Sequence, residues 1–119
     1  MEDAAARSKG EKTAYANLLL DFYGELLTDG QRQALEYFYG EDLTLSEIAQ
    51  ITGITRQGVR DRIVKGEGAL YHTEERLGLV ERFLKQKEAL AEIGRELEAL
   101  RPICGERLDR VARMIEEML

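Results

Sequence analysis

From Tyr15 onward the apolar residues recur with a helical period. Tyr15, Leu18, Leu19, Phe22, Tyr23 and Leu26 form one stripe, spaced three or four residues apart around adjacent pairs. That spacing predicts a helix ending near Leu27. Residues 1–12 have no such pattern and are expected to be a flexible tail. Three further helix starts are marked by capping residues. Thr28-Asp29-Gly30-Gln31 fits the capping box, in which a Thr oxygen and a Gln side chain each satisfy a backbone N–H. The helix it opens carries Ala34, Leu35, Phe38 and Tyr39 inward, and Gly40 stops it. Thr44-Leu45-Ser46-Glu47 is a second box, with Leu43 and Ile48 as a hydrophobic staple across it. Its helix is short, about 45–52, and Gly53 suits the left-handed position that ends it. Thr55 is the third cap, stapled by Ile54 and Val59. It precedes a helix whose inward residues are Val59, Ile63, Gly66 and Leu70.

A short helix, the turn Gly53-Ile54-Thr55 and a longer helix make a helix-turn-helix. After Tyr71 the stripe resumes as Leu77, Val80 and Leu84, weakens at Lys85–Lys87, then continues as Leu90, Ile93, Leu97, Leu100 and Cys104. Leu108, Val111, Ile115 and Met118 extend it. Pro102 and Gly105 predict a break, giving helices of about 74–100 and 106–118. The expected architecture is all-α. A tail (1–12) leads into a helix-turn-helix bundle (13–73), followed by a C-terminal helical arm (74–119). Heptad-like spacing on the arm suits either packing within the chain or a homodimer.

Composition narrows the function classes. The chain has 119 residues, 44% of them hydrophobic, enough for one small core. One Cys and one His exclude an intrachain disulfide and a Cys/His zinc site, and no cofactor is expected. No apolar run reaches signal-peptide or membrane-span length, which points to a cytoplasmic protein without membrane insertion. The net charge of −6 argues against indiscriminate nucleic-acid binding. The positive charge is local instead: Arg56, Arg60, Arg62 and Lys65 stand against Asp61 alone within residues 55–66.

At 100° per residue, with Ile63 inward, Gln57, Gly58, Asp61 and Lys65 point outward. Recognition helices offer such N-terminal residues to base edges, while flanking cations hold phosphates. Gln57 and Arg60 are the candidate base readers, since Gln pairs bidentately with adenine and Arg with guanine. Arg56, Arg62 and Lys65 are candidate phosphate contacts. Thr55 adds a hydroxyl and a helix N-terminus. Asp61 opposes this reading by repelling phosphate, unless it accepts from a cytosine amine.

Other candidate chemistry is weaker. His72 has no nucleophile arranged beside it, and Cys104 reads as a small core or interface residue. Glu74/Glu75 and Glu116/Glu117 are adjacent, so they splay apart on a helix. Gly66-Glu67-Gly68 lacks the strand that a phosphate loop requires. No enzymatic activity is expected.

The segments LLLDFYGELLT, LTLSEIA, TRQGVRD and EERLGLVERF, spanning residues 18–83, together resemble the YlxM-type family of helix-turn-helix proteins. These look like region 4 of sigma factors. The resemblance implies a sigma region-4-like all-α fold whose helices after the motif support homodimers. It also implies a regulatory link to the signal recognition particle pathway. The partner is then DNA, or the particle's RNA; the competing reading is an acidic module that docks on one of the particle's proteins. The family often has an aromatic at the position of Arg60, Asn at Arg62, Lys at Val64 and Ala at Gly58, so the reading face of this chain differs.

Overall fold

A computed structural model describes residues 2–119, with side chains from Gly10 onward. Six α-helices and no strand occur among the described residues: α1 (Glu2–Tyr23), α2 (Asp29–Leu35), α3 (Leu45–Thr52), α4 (Arg56–Leu77), α5 (Leu79–Cys104) and α6 (Glu106–Met118). The fold is therefore all-α. Of the expected tail, Met1 lies outside the described residues, and residues 2–12 continue α1 as helix. Two compact units result, one running to Val80 and the other from Glu81 to Leu119.

In the first unit the caps form as the sequence indicates. Thr28 Oγ1 accepts from Gln31 N at 3.2 Å, and Gln31 Oε1 accepts from Thr28 N at 3.3 Å. Thr44 and Glu47 repeat the arrangement at 3.2 Å in both directions. Gly53 takes φ +75°, a conformation that β-carbons disfavour, and this turns the chain sharply from α3 into α4. Gly40 does not cut α2 cleanly. The backbone from Glu36 to Gly40 widens into a π-turn, where Glu41 N–H donates to Glu36 O at 3.1 Å. Asn17 Nδ2 ties this turn to α1 by donating to Tyr39 O at 3.1 Å.

The core of this unit is Leu19 and Tyr23 of α1, Ala34 and Leu35 of α2, Ile48 of α3, Val59, Ile63 and Leu70 of α4, and Val80. Helix α4 packs against side chains of α2 at Gly66. A β-carbon on Gly66 would stand 2.7 Å from Leu35 Cδ1, closer than real side chains pack. Glycine at 66 is thus a packing requirement that outweighs its cost in helix propensity of about 1 kcal/mol.

Helix α4 passes through the expected boundary at 73/74 and ends where Gly78 adopts φ +64°. One buried network closes this end. Glu74 is only 8% exposed. Its Oε1 accepts from Tyr23 Oη at 2.6 Å and from Val80 N at 3.0 Å, while Leu79 N–H donates to Tyr23 Oη at 3.2 Å. A buried carboxylate is tolerable only when hydrogen-bonded in this way. Carboxylate and phenol together satisfy the first two backbone N–H groups of α5, which otherwise have no helical partner. A second tyrosine–carboxylate pair, Tyr39 with Glu67, joins the π-turn to α4.

In the second unit, α5 runs unbroken through Lys85–Lys87, where Lys85 pairs with Glu81 at 3.0 Å. Of the two residues expected to break this run, Gly105 ends the helix, with φ +61°, while α5 continues past Pro102 to Cys104, and α6 begins at Glu106 as expected. Proline so close to the helix end removes a single N–H bond, whereas the positive φ ends the helix outright. Arg101 Nη2 bridges Glu98 at 3.2 Å and Asp109 at 3.0 Å, tying α6 back to α5. Leu108 is buried, but Ile93, Leu100, Val111 and Met118 of the apolar stripe are exposed, as is Met114 outside it. Cys104, expected in a core or interface, is also exposed, because α5 ends on it at the turn.

Two outcomes follow for stability. Gly66→Val forces two β-substituents into Leu35 and is expected to cost about 2 kcal/mol or more, read from urea unfolding. Burial raises the Tyr23 phenol above its ordinary value of 10.0, and the bond to Glu74 raises it further. Burial and Glu67 raise Tyr39 likewise. Both folded-state values exceed the unfolded one, so their contribution is complete below pH 10 and is lost as pH rises beyond it. The urea midpoint should fall above pH 10, and fall less steeply in a Tyr23→Phe/Tyr39→Phe double variant.

Candidate nucleic-acid interface

Two short stretches of chain orient the start of α4. Gly53 reverses the direction after α3, and Thr55 Oγ1 accepts from Gly58 N at 3.0 Å, capping the new helix. Val59, Ile63, Gly66 and Leu70 are then drawn into the core, which leaves the opposite face of α4 to solvent. Ile54 packs half-buried against that core and completes the staple expected with Val59.

The structure brings some of the candidate residues together and separates others. Arg56, Gln57 and Arg60 line one shallow concavity of about 270 Å³, with Leu45 of α3 as its remaining wall. All three are exposed. Thr55 stands at the mouth of α4; its oxygen is used by the cap, and its O–H remains a donor. Lys65 is exposed roughly two turns further along. Among the described residues, none of Arg56, Arg60, Arg62 and Lys65 forms an ion pair within 4.0 Å.

Arg62 sits apart. It is half-buried, and a β-carbon on Gly30 would lie 3.0 Å from its Cζ and Nη1. The guanidinium therefore lies flat against the first turn of α2, where its stem and plane contribute packing.

Two residues on the outward face were not singled out from the sequence as readers. Val64 is 57% exposed, although Ile63 before it is buried. A helical wheel places it between Arg60 and Gln57, where a methyl-bearing side chain suits contact with a thymine methyl. Asp61, read as a repelling charge, accepts a hydrogen bond from Gln57 Nε2 at 3.0 Å. The i, i+4 spacing was the available signal for that bond. His72 Nε2 accepts from Arg76 Nε at 3.1 Å on the surface, far along α4 from this face.

Among the described residues there is no group of three or more His, Cys, Asp or Glu able to hold a metal, and no helix is long and apolar enough to cross a membrane.

The family model described as "putative helix-turn-helix protein, YlxM / p13 like", UPF0122, matches residues 10–107. The chain belongs to the UPF0122 family. A UPF0122 protein of Desulforamulus reducens is 47% identical over 77 residues, covering 65% of this chain and 66% of the relative. One from Thermoanaerobacter sp. (strain X514) is 39% identical over 109 residues, 87% of this chain and 93% of the relative. One from Bacillus cereus (strain AH187) is 35% identical over 108 residues, 91% and 97% respectively. The UPF0122 match includes the whole of α2, α3, α4 and α5, so helix-turn-helix and candidate face both fall inside it.

Stability should separate Arg62 from the exposed cations. Arg62→Ala is expected to lower unfolding free energy by about 1 kcal/mol through lost packing. Arg56→Ala should leave the thermal midpoint unchanged. Parallel melting curves of the two variants check this.

Proposed function

We propose that this chain is a non-enzymatic regulatory protein of the cytoplasm that binds duplex DNA through the first three turns of α4. The observation that carries the reading is the set of exposed cations Arg56, Arg60 and Lys65. Among the described residues none of them is tied into an ion pair, and all lie on the second helix of a helix-turn-helix. In this reading Gln57 and Arg60 face base edges, with Val64 beside them. Arg56, Lys65 and the capped N-terminus at Thr55 hold phosphates. Arg62 contributes by fixing α4 on α2. An α-helix fits the major groove of B-form DNA, whereas that of A-form RNA is too narrow for side-chain reading. Duplex DNA is therefore favoured over the particle RNA that the family resemblance also suggested.

The arm supports a homodimer within the same proposal. Ile93 and Leu100, seven residues apart on α5, and Val111 and Met118, seven apart on α6, are exposed apolar residues at heptad spacing. A two-fold pair presents two copies of α4 to paired half-sites. A regulatory link to the signal recognition particle rests on the family resemblance alone.

A net charge of −6 favours a second reading, in which the acidic surface docks on a basic protein and α4 reads nothing. Salt separates the two. On the DNA reading, the logarithm of the affinity for a mixed-sequence duplex falls linearly with the logarithm of salt concentration. Arg56→Ala and Arg60→Ala should each weaken binding and lower the slope by about 1. Fluorescence anisotropy across a salt series measures it. Binding to duplex that is absent, or unaffected by both variants, removes the DNA reading in favour of the protein partner.

A further inference from the structure

Between Arg56 and Lys65 the outward face of α4 carries one anion, Asp61, among its cations, and its bonding gives it a definite task. Asp61 Oδ1 lies 3.0 Å from Gln57 Nε2. A carboxylate has no proton to donate near neutral pH, so only the NH2 end of the glutamine amide can face it. Rotating the amide by half a turn would set its oxygen against the carboxylate oxygen. An unsupported glutamine on a helix surface samples both orientations; this one is held in a single orientation, with Oε1 and the second N–H available.

An adjacent acceptor and donor in fixed order match the N6–H and N7 edge of adenine in the major groove. Both residues are exposed, and both fall on the face turned away from the core. Arg56 and Arg60 share the concavity with Gln57, Arg56 supplying attraction to phosphate and Arg60 a second reader beside it.

We infer that Asp61 is a specificity-determining positioning residue: it orients the Gln57 amide for adenine and weakens attachment to unmatched duplex through its charge. The inference rests on the DNA-binding reading above. Its two parts have different dependence on sequence. The negative charge repels phosphate at every register and lowers affinity for all duplexes alike. The orientation of Gln57 acts only where an adenine edge is in place. Removing Asp61 therefore raises affinity for arbitrary DNA while lowering discrimination, a combination that loss of charge alone does not produce.

The experiment begins with selection of a preferred site from a randomised duplex library by the wild-type full chain. Affinities for that duplex and for a scrambled duplex of the same composition are then measured at fixed salt. The variants are Asp61→Ala, Gln57→Ala and the double variant, with circular dichroism to confirm that each remains helical. Asp61→Ala is expected to tighten binding to the scrambled duplex and to reduce the ratio of matched to scrambled affinity about fivefold or more. In the Gln57→Ala background the same change should still tighten scrambled binding but leave the ratio where it is, because the two residues act as a unit. An unchanged ratio in Asp61→Ala overturns the inference and leaves the DNA reading standing. So does an equal fall in the ratio with and without Gln57. A wild-type chain that enriches no site and shows no salt-dependent binding ends both.

Discussion

Helix α4 presents a constant face to solvent because its other face packs tightly on side chains of α2, at a point where residue 66 lacks a β-carbon. Leu35 fills the space. Val59, Ile63 and Leu70 then meet the core on the same side, and the rotation of α4 about its own axis is set. The exposure of Arg56, Gln57, Arg60 and Lys65 is a consequence of that rotation, as is the half-buried placement of Arg62 on Gly30. Packing at one glycine thus decides which of the cations face outward. Shape is settled deep in the unit, by apolar contacts, and charge is distributed over what remains outside.

Much of this was legible in the residues. Capping boxes at Thr28 and Thr44, and the left-handed turn at Gly53, are local chemistry between positions three or four apart, and they form as their spacing indicates. Inward positions on α4 followed from period alone. What was not legible depends on contacts distant in sequence or on which of two local signals wins. Arg62 was expected on a flank facing phosphate; its rest against Gly30, thirty-two positions earlier, is a tertiary contact with no local sign. The end of α4 at Gly78 is linked to Glu74, which meets Tyr23 fifty-one positions earlier. Pro102 and Gly105 both signal a break, and the positive φ at Gly105 prevails over the missing N–H at Pro102. The Gln57–Asp61 bond lay within reach of sequence reasoning at spacing four, but the opposed charge of Asp61 obscured it.

The electrostatic character of the molecule is a contrast of scales. At the scale of the whole chain it is an anion, and at long range it repels nucleic acid. Within a Debye length of about 8 Å at physiological salt, the start of α4 presents mainly positive charge. Such a surface engages a polyanion only after close approach in one orientation, so contact and registration become nearly the same event. A uniformly basic domain attaches first and searches afterwards.

The hydroxyl of Tyr23 receives a proton bond from the backbone and gives one to Glu74, so both directions of its bonding are occupied. Phenylalanine at 23 strands the carboxylate's partner site and a backbone N–H together, while glutamine at 74 keeps size but surrenders charge. Losing one member of a buried polar pair is costly, whereas exchanging both for apolar groups of similar shape is nearly neutral. The two positions therefore drift as a couple: relatives of this chain should carry either both residues or neither, and a lone replacement marks a lineage whose elbow after α4 is built differently.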